Sequence, residues 1–173
     1  MLKNSDELNG MREAGKLAAE VLEMITDYVK PGISTGELDE ICFKYITDVQ
    51  KAIPANVGYR GFEKTLCTSI NQVICHGIPD TNRILKSGDI MNIDVTVIKD
   101  GWHGDTSKMF LIGKAQSHNE RLVRVTQECL YKGIEAARPG ARLGDIGNAI
   151  QIHAEKNYYS VVEEYCGHGI GKI

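Results

Sequence analysis

Two aspartates, Asp94 and Asp105, flank an Asp100-Gly101 pair in the stretch "IMNIDVTVIKDGWHGDTSKMF". Asp-Gly between two runs of strand-forming residues signals a two-residue type I′ hairpin, since both central positions need positive φ. With that pair at the turn, Lys99 faces Trp102, Thr96 faces Asp105 and Asp94 faces Ser107. Side chains alternate between the two faces of a strand. Asn92, Asp94, Thr96, His103, Asp105 and Ser107 therefore share one face, and Met91, Ile93, Val95 and Val97 share the other. Asp94 and Asp105 become diagonal neighbours, roughly 7–8 Å apart at the backbone. Carboxylates that close repel each other and lose hydration when partly buried. One of them can take up a proton, both can lie on a solvated polar face, or a divalent cation can bridge them. The hairpin alone leaves all three open.

Histidines extend the set. His168 lies in "GHGIG" and His76 in "ICHGIP". Flanking glycines remove bulk, so ring and backbone can come close to a ligand. Each is either a packing histidine or a ligand-directed one, and the residues alone support both. His103 points to the polar face of the hairpin, whereas His118 and His153 read as surface helix residues. Cys75-His76 suggests a cysteine hydrolase. Neighbours in a strand point to opposite faces, however, which is wrong for a nucleophile and its base. Cys42, Cys67, Cys75, Cys129 and Cys166 are dispersed and odd in number, with no C-x-x-C pair. That usage is expected of reduced thiols in the cytosol, acting as small buried hydrophobes.

The elements that position these residues can be read from periodicity. Residues 5–29 predict a helix, with Leu8, Met11, Gly15, Ala18, Leu22, Ile25 and Val29 on one stripe, Ser5 as cap and Pro31-Gly32 as stop. Ser34 and Glu37 form a capping-box pattern ahead of a second helix that buries Leu38, Ile41, Cys42, Tyr45, Ile46 and Val49. From about residue 56 to 112 the period shifts, and "TLCTSI" and "QVICHGI" join the hairpin as expected strands. Helices then return. Ser117 and Glu120 repeat the capping box, and Leu122, Val125, Cys129, Ile134 and Ala137 form the stripe. A last helix is expected over 143–157 and a short strand over "YSVVEEY".

The chain of 173 residues is long enough for one domain with a substantial core. A net charge of −3 without a basic block argues against general nucleic-acid binding. The opening "MLKNSDELNG" is polar, unlike the apolar core of a signal peptide, and no apolar run approaches a membrane span.

An internal repeat organises the whole. "VKPGISTGELDEI" at 29–41 aligns with "ARPGARLGDIGNA" at 137–149, an offset of 108, and "VGYRGF" at 57–62 resembles "CGHGIG" at 166–171. Each copy reads as two helices followed by a glycine-bearing lead into strands. Adding 108 to Asp94 and Asp105 places their counterparts near 202 and 213, past Ile173. The expectation is an incomplete domain, with a first pseudo-repeat over 1–112 and an incomplete second one over 113–173.

"GYRGFEKTLCTSINQVICHGIP", "NIDVTVIKDGWHGDTSKMF" and "EYCGHGIG" closely resemble bacterial type I methionine aminopeptidases, and the resemblance extends over the whole chain. It implies the α/β (α+β) pita-bread fold of the creatinase/aminopeptidase class, two pseudo-symmetric halves of which the second is incomplete here. The implied activity is hydrolytic removal of the initiator methionine when the second residue is small, in the cytoplasm. The implied cofactors are two divalent metal ions (Co, Mn, Fe or Zn). The implied partners are the N-terminus of a nascent polypeptide and the ribosome that carries it, with neither a membrane nor a specific nucleic acid, for a usually monomeric enzyme. By position, Asp94, Asp105 and His168 match metal ligands, with Asp105 bridging the ions. His76 matches the residue that hydrogen-bonds substrate near the scissile amide. Tyr59, Phe62 and Cys67 match the methionine pocket, with Phe62 standing where many members have tyrosine.

The sequence departs from the family in one respect. Two further glutamate ligands, one also an acid/base, and a second active-site histidine lie beyond "GHGIG" in the family, where here only Lys172 and Ile173 follow. The expectation is a chain inactive by itself. The alternative expectation is a short, non-catalytic homologue that binds a partner subunit or peptide N-termini, since an unpaired half exposes sheet edges and apolar surface.

Overall fold

Four strands build the sheet that carries the aspartates: β1 (Ile53–Pro54), β2 (Leu66–Ile70), β3 (Ile90–Lys99) and β4 (Trp102–Leu111). They belong to a computed structural model that describes residues 4–172. β3 is central: β2 and β1 pair antiparallel along one edge and β4 along the other. At the turn Asp100 has φ 50° and Gly101 φ 82°, so the type I′ expectation holds. The register follows, with Lys99 opposite Trp102, Thr96 opposite Asp105 and Asp94 opposite Ser107. Met91, Ile93, Val95 and Val97 are buried, while Asn92, Asp94 and Thr96 are half-buried on the other face.

The apolar face of the sheet is covered by α1 (Ser5–Ile25) and α2 (Thr35–Lys44), whose Leu17, Val21, Ile25 and Leu38 join the four β3 residues in one core. Full burial of each such side chain is worth about 1.5–3 kcal/mol. Asn4, not Ser5, caps α1, accepting from the Glu7 N–H at 2.9 Å. Ser5 already lies within the helix, where it cannot cap. The helix stops at Ile25, and the Tyr28 and Val29 N–H groups fold back onto the Ile25 carbonyl, so residues 26–29 form turns rather than helix. The Ser34/Glu37 capping box is formed as expected. A π-helical turn (Tyr45–Val49) follows α2. Its wider winding shifts the phase of the buried stripe, which explains why Val49 is 65% exposed rather than buried.

"QVICHGI" is not a strand. His76 takes φ 55°, which breaks an extended run. The segment docks on β2 at a point instead: the Thr68 N–H donates to the Gly77 carbonyl at 2.8 Å, and the Gly77 N–H donates to Ser69 Oγ at 3.1 Å. Gly77 has no room for a Cβ against the Thr68 carbonyl. The alternation argument against a Cys75–His76 pair therefore does not apply.

By Cα proximity the chain divides into two units. The first contains everything above together with the residues from Gly169 onward. There Lys172 bridges to Trp102, and the His103 N–H donates to the Gly171 carbonyl at 2.8 Å with His103 Nδ1 at 3.2 Å from the same oxygen. The Lys172 ammonium stands 5.4 Å from the centre of the Trp102 ring.

The second unit, Gln116–His168, holds α3 (Ser117–Ala136) and α4 (Leu143–Lys156). Val125, Cys129 and Gly133 of α3 are buried. A Cβ added at Gly133 would stand 3.0 Å from Ile150 of α4, and Cys129 Sγ lies 3.7 Å from the Ile150 carbonyl. Leu122, Ile134 and Ala137, expected on the buried stripe, are exposed. The Ser117/Glu120 capping box does not form, because the helix begins at Ser117 and Gln116 takes the cap position. His153 is not a free surface residue: its Nε2 lies 2.8 Å from Glu128 Oε2 and ties α4 to α3. Residues 159–165 form no strand, and among the described residues no strand pairs with them. Instead the Tyr159 N–H closes the end of α4 on the Ala154 carbonyl.

The repeat has a local structural counterpart. Thr35 and Leu143 each open a helix, 143 − 35 = 108 residues apart. Gly32 (φ 98°) and Gly140 (φ 90°) precede them in the left-handed region. The Ser34 N–H donates to Glu37 Oε2 at 2.9 Å and the Arg142 N–H to Asp145 Oδ2 at 2.8 Å, the same backbone-to-acid bond in both copies. No helix among the described residues is long and apolar enough to cross a membrane.

Two glycines of the first unit give opposite expectations. A Cβ at Gly104 of β4 would collide with the Ala14 carbonyl of α1, whereas one at Gly15 meets nothing within 4 Å. In urea unfolding, Gly104→Ala should lose about 1–3 kcal/mol by overpacking. Gly15→Ala should gain about 0.5–1 kcal/mol from helix propensity.

Candidate metal-binding face

The polar face of the sheet runs across three strands. Cys67 of β2 stands opposite Asp94 of β3, which stands opposite Ser107 of β4. Directly opposed residues in an antiparallel sheet project to the same face, so a thiol, a carboxylate and a hydroxyl form one row. The next row places Thr96 beside Asp105. Asp94 and Asp105 are both half-buried. Asn92 Nδ2 donates to Ser107 Oγ at 3.3 Å and closes one end of the face.

Cys67 is 7% exposed. Burial first, and then the negative charges of Asp94, Cys75 and Asp105, push its thiol up to about 11. The same influences place Cys67 within electrostatic reach of both aspartates and of Cys75. Its thiol is neutral at physiological pH and presents a small apolar wall beside the carboxylates.

His76 is exposed, on the loop that Gly77 pins to β2 next to Cys67. Tyr59 and Phe62 lie in the loop before β2, where the Gly58 N–H donates to the Phe62 carbonyl at 2.7 Å and the Phe62 N–H to the Tyr59 carbonyl at 2.9 Å. Tyr59 is exposed and Phe62 half-buried. His168 belongs to the second unit. The sheet thus gathers Asp94, Asp105 and Cys67 on one face and His76 at its edge.

Sequence reasoning missed Asp39. This α2 residue is 7% exposed, and its Oδ1 accepts from the Thr65 N–H at 2.8 Å and the Leu66 N–H at 3.2 Å. It therefore anchors the chain where the Tyr59/Phe62 loop enters β2. The signal was present: Thr35, Leu38, Asp39 and Cys42 occupy positions i, i+3, i+4 and i+7 of a buried helix face, and an acid there needs a partner.

A divalent ion is the natural partner for paired carboxylates with hydroxyls beside them, since hard oxygen donors suit such ions. The fit is partial. Such ions take roughly four to six ligands, and among the described residues no three His, Cys, Asp or Glu side chains gather as a metal-holding group. Asp94 and Asp105 are two oxygen donors on one face, fewer than such an ion takes.

Comparison with known proteins places this arrangement. Residues 9–173 match metallopeptidase family M24, and the chain belongs to that family. It is 61% identical over 171 residues to the methionine aminopeptidase of Salmonella typhimurium and 59% to that of Escherichia coli. In each case the match covers 99% of this chain and 65% of the relative, so the chain spans less than two-thirds of their length. The crystal structure of methionine aminopeptidase from Rickettsia prowazekii superposes with a TM-score of 0.97 at 54% identity, covering all of this chain and 69% of that one. The fold is the mixed α/β pita-bread fold expected from the motifs. Membership of a metallopeptidase family also removes the ground for a Cys75–His76 hydrolase.

The Asp39 carboxyl couples stability to pH. Burial raises its pKa above the ordinary 3.8, against the lowering effect of the Thr65 and Leu66 N–H groups. The folded chain therefore holds this proton more tightly than the unfolded chain. Its stabilising contribution is complete below about 3.8 and is lost as pH rises through the folded value. Asp39→Asn should flatten the pH dependence of unfolding free energy above pH 4. Asp39→Ala should cost about 1–3 kcal/mol at neutral pH, because two buried N–H groups lose their acceptor.

Proposed function

We propose that this chain carries the first part of a methionine aminopeptidase active site, acting on polypeptides whose initiator methionine precedes a small residue. The observation that carries this reading is the diagonal Asp94/Asp105 pair on the polar face of the hairpin, next to Cys67. The likeness to the Salmonella and Escherichia coli enzymes supports it. Asp94, Asp105 and His168 are assigned as ligands to two divalent ions, Mn, Fe, Co or Zn, with Asp105 bridging. Such ions would supply Lewis acidity, polarising the scissile carbonyl and making water a competent nucleophile near neutral pH.

The remaining assignments concern the chain's own residues. His76 donates a hydrogen bond to the substrate near the scissile amide from its left-handed loop position. Cys67, Phe62 and Tyr59 receive the methionine side chain. A neutral, buried thiol and an apolar ring suit an unbranched thioether. The substrate is a nascent chain at the ribosome, and the compartment is the cytoplasm. Residues 1–173 do not include the glutamate ligands and acid/base group that the family resemblance implies, so a polypeptide of these residues alone is not expected to turn over substrate.

Isothermal titration with Mn²⁺ tests the ligand assignment. Asp94→Asn and Asp105→Asn should each weaken binding about tenfold or more while leaving the far-UV circular dichroism unchanged. Unchanged affinity in both variants contradicts it. A Met-Ala peptide assay with added Mn²⁺ or Co²⁺ should show no turnover by this chain. Metal-dependent turnover there overturns the need for further groups.

A further inference from the structure

Two of the cysteines come together on the polar side of β2. Cys67 and Ser69 lie opposite Asp94 and Asn92, so both side chains project to the face that carries the aspartates. The loop after β2 folds back onto that same side. Its Val73 N–H donates to the Ile70 carbonyl at 3.1 Å, and its Gly77 N–H donates to Ser69 Oγ at 3.1 Å. Cys75 lies midway between these two anchors. Two residues of chain span at most about 7 Å, so Cys75 stays near the point where Gly77 meets Thr68 and Ser69. Among the charges that raise the Cys67 thiol, Cys75 acts more strongly than Asp105 of β4. The other three cysteines are placed elsewhere. Cys42 belongs to the core, and Cys129 and Cys166 belong to the second unit.

The two thiols differ in access. Cys67 is buried, whereas Cys75 is half-buried between the exposed Ile74 and His76. We propose that Cys67 and Cys75 are a redox-modifiable pair, closed into a disulfide by hydrogen peroxide. The Cys75 sulfur, the one open to solvent, attacks a peroxide oxygen. The O–O bond breaks, the thiol proton leaves with the departing oxygen as water, and Cys75 becomes a sulfenic acid. The Cys67 sulfur then attacks the Cys75 sulfur. The S–O bond breaks, a second water carries off the Cys67 proton, and the disulfide remains. Two thiols lose two hydrogens and two electrons, and one peroxide becomes two waters. Burial keeps the oxidant away from Cys67 but not a sulfur beside it. A disulfide needs Cα atoms roughly 4.4–6.8 Å apart, and the short tether from Gly77 holds Cys75 in that range of β2. The bond would tie the Cys67 wall to the His76 loop. Only that consequence, closure of the methionine pocket by oxidation, rests on the aminopeptidase reading.

The test is peptide mapping of the folded chain after exposure to hydrogen peroxide, with remaining thiols blocked before digestion. Trypsin cuts after Lys64 and Arg83, so one peptide, residues 65–83, holds both cysteines. The expected result is that this peptide loses two hydrogens and escapes blocking, while the chain loses two of its five thiols. A reductant should restore both. Cys166→Ser removes an exposed thiol and should leave the cross-link unchanged. Cys75→Ser should abolish it, with all remaining thiols still open to blocking in urea. The proposal is overturned if the wild-type peptide gains oxygen instead, if it is unchanged, or if either cysteine is joined to a different one. Loss of two hydrogens from the Cys75→Ser peptide overturns it as well. None of these readouts uses metal, substrate or turnover, so failure here leaves the aminopeptidase reading standing, and failure of that reading leaves the cross-link.

Discussion

The two-residue turn at Asp100-Gly101 is the constraint on which the first unit depends. Both residues sit at positive φ, at 50° and 82°, where glycine is at ease and aspartate is among the few side chains that tolerate it. Tight I′ geometry fixes the pairing of β3 with β4 along all ten residues of each strand. A one-residue slip would move every side chain to the opposite face. It would bury Asp94 among Leu17, Val21 and Ile25 and turn Ile93 and Val95 to water. The hydrophobic core and the paired carboxylates are therefore two consequences of one register.

The core and the site also meet at two close backbone approaches. Gly104 lets α1 rest on β4, which seats the apolar face. Gly77 lets the His76 loop rest on β2, which brings an imidazole to the edge of the polar face. Asp39 anchors the loop before β2 from below, through its bonds to Thr65 and Leu66. Helix, loop and strand are thus joined by backbone contacts and one buried acid rather than by long side chains. That rigidity suits a site whose carboxylates must be held at a fixed separation.

Much of this was legible because it is local. The Asp-Gly turn, the alternation in β3 and the Ser34 capping box each act within a few residues, and all of them formed. Two strand misreadings involve non-local partners, whereas the caps of α1 and α3 were each misplaced by one residue. "QVICHGI" and "YSVVEEY" have strand composition, but a strand exists only where another strand pairs with it. Gly77 makes a point contact instead, and among the described residues 159–165 have no partner strand. Val49 was misplaced because a π-helical turn changed the helical phase, and no spacing rule foresees that. Asp39 sits on a helix face whose spacing marks it as buried, but its N–H partners, 26 and 27 residues later, are visible only in the fold. The candidate carboxylates were legible from register alone, whereas His168, in the other unit, is assigned by motif resemblance.

On the proposed assignment, Asp94 and Asp105 together receive a divalent cation on the polar face of the hairpin. Mn²⁺ is paramagnetic and broadens the resonances of nuclei near it, so a titration followed on the amide spectrum locates the ion directly. The account predicts selective broadening at residues 92–96, 103–107 and Cys67 at low Mn²⁺, with the exposed acids of α1 and α3 unaffected. Broadening spread evenly over the surface acids, or none along the hairpin, would contradict it.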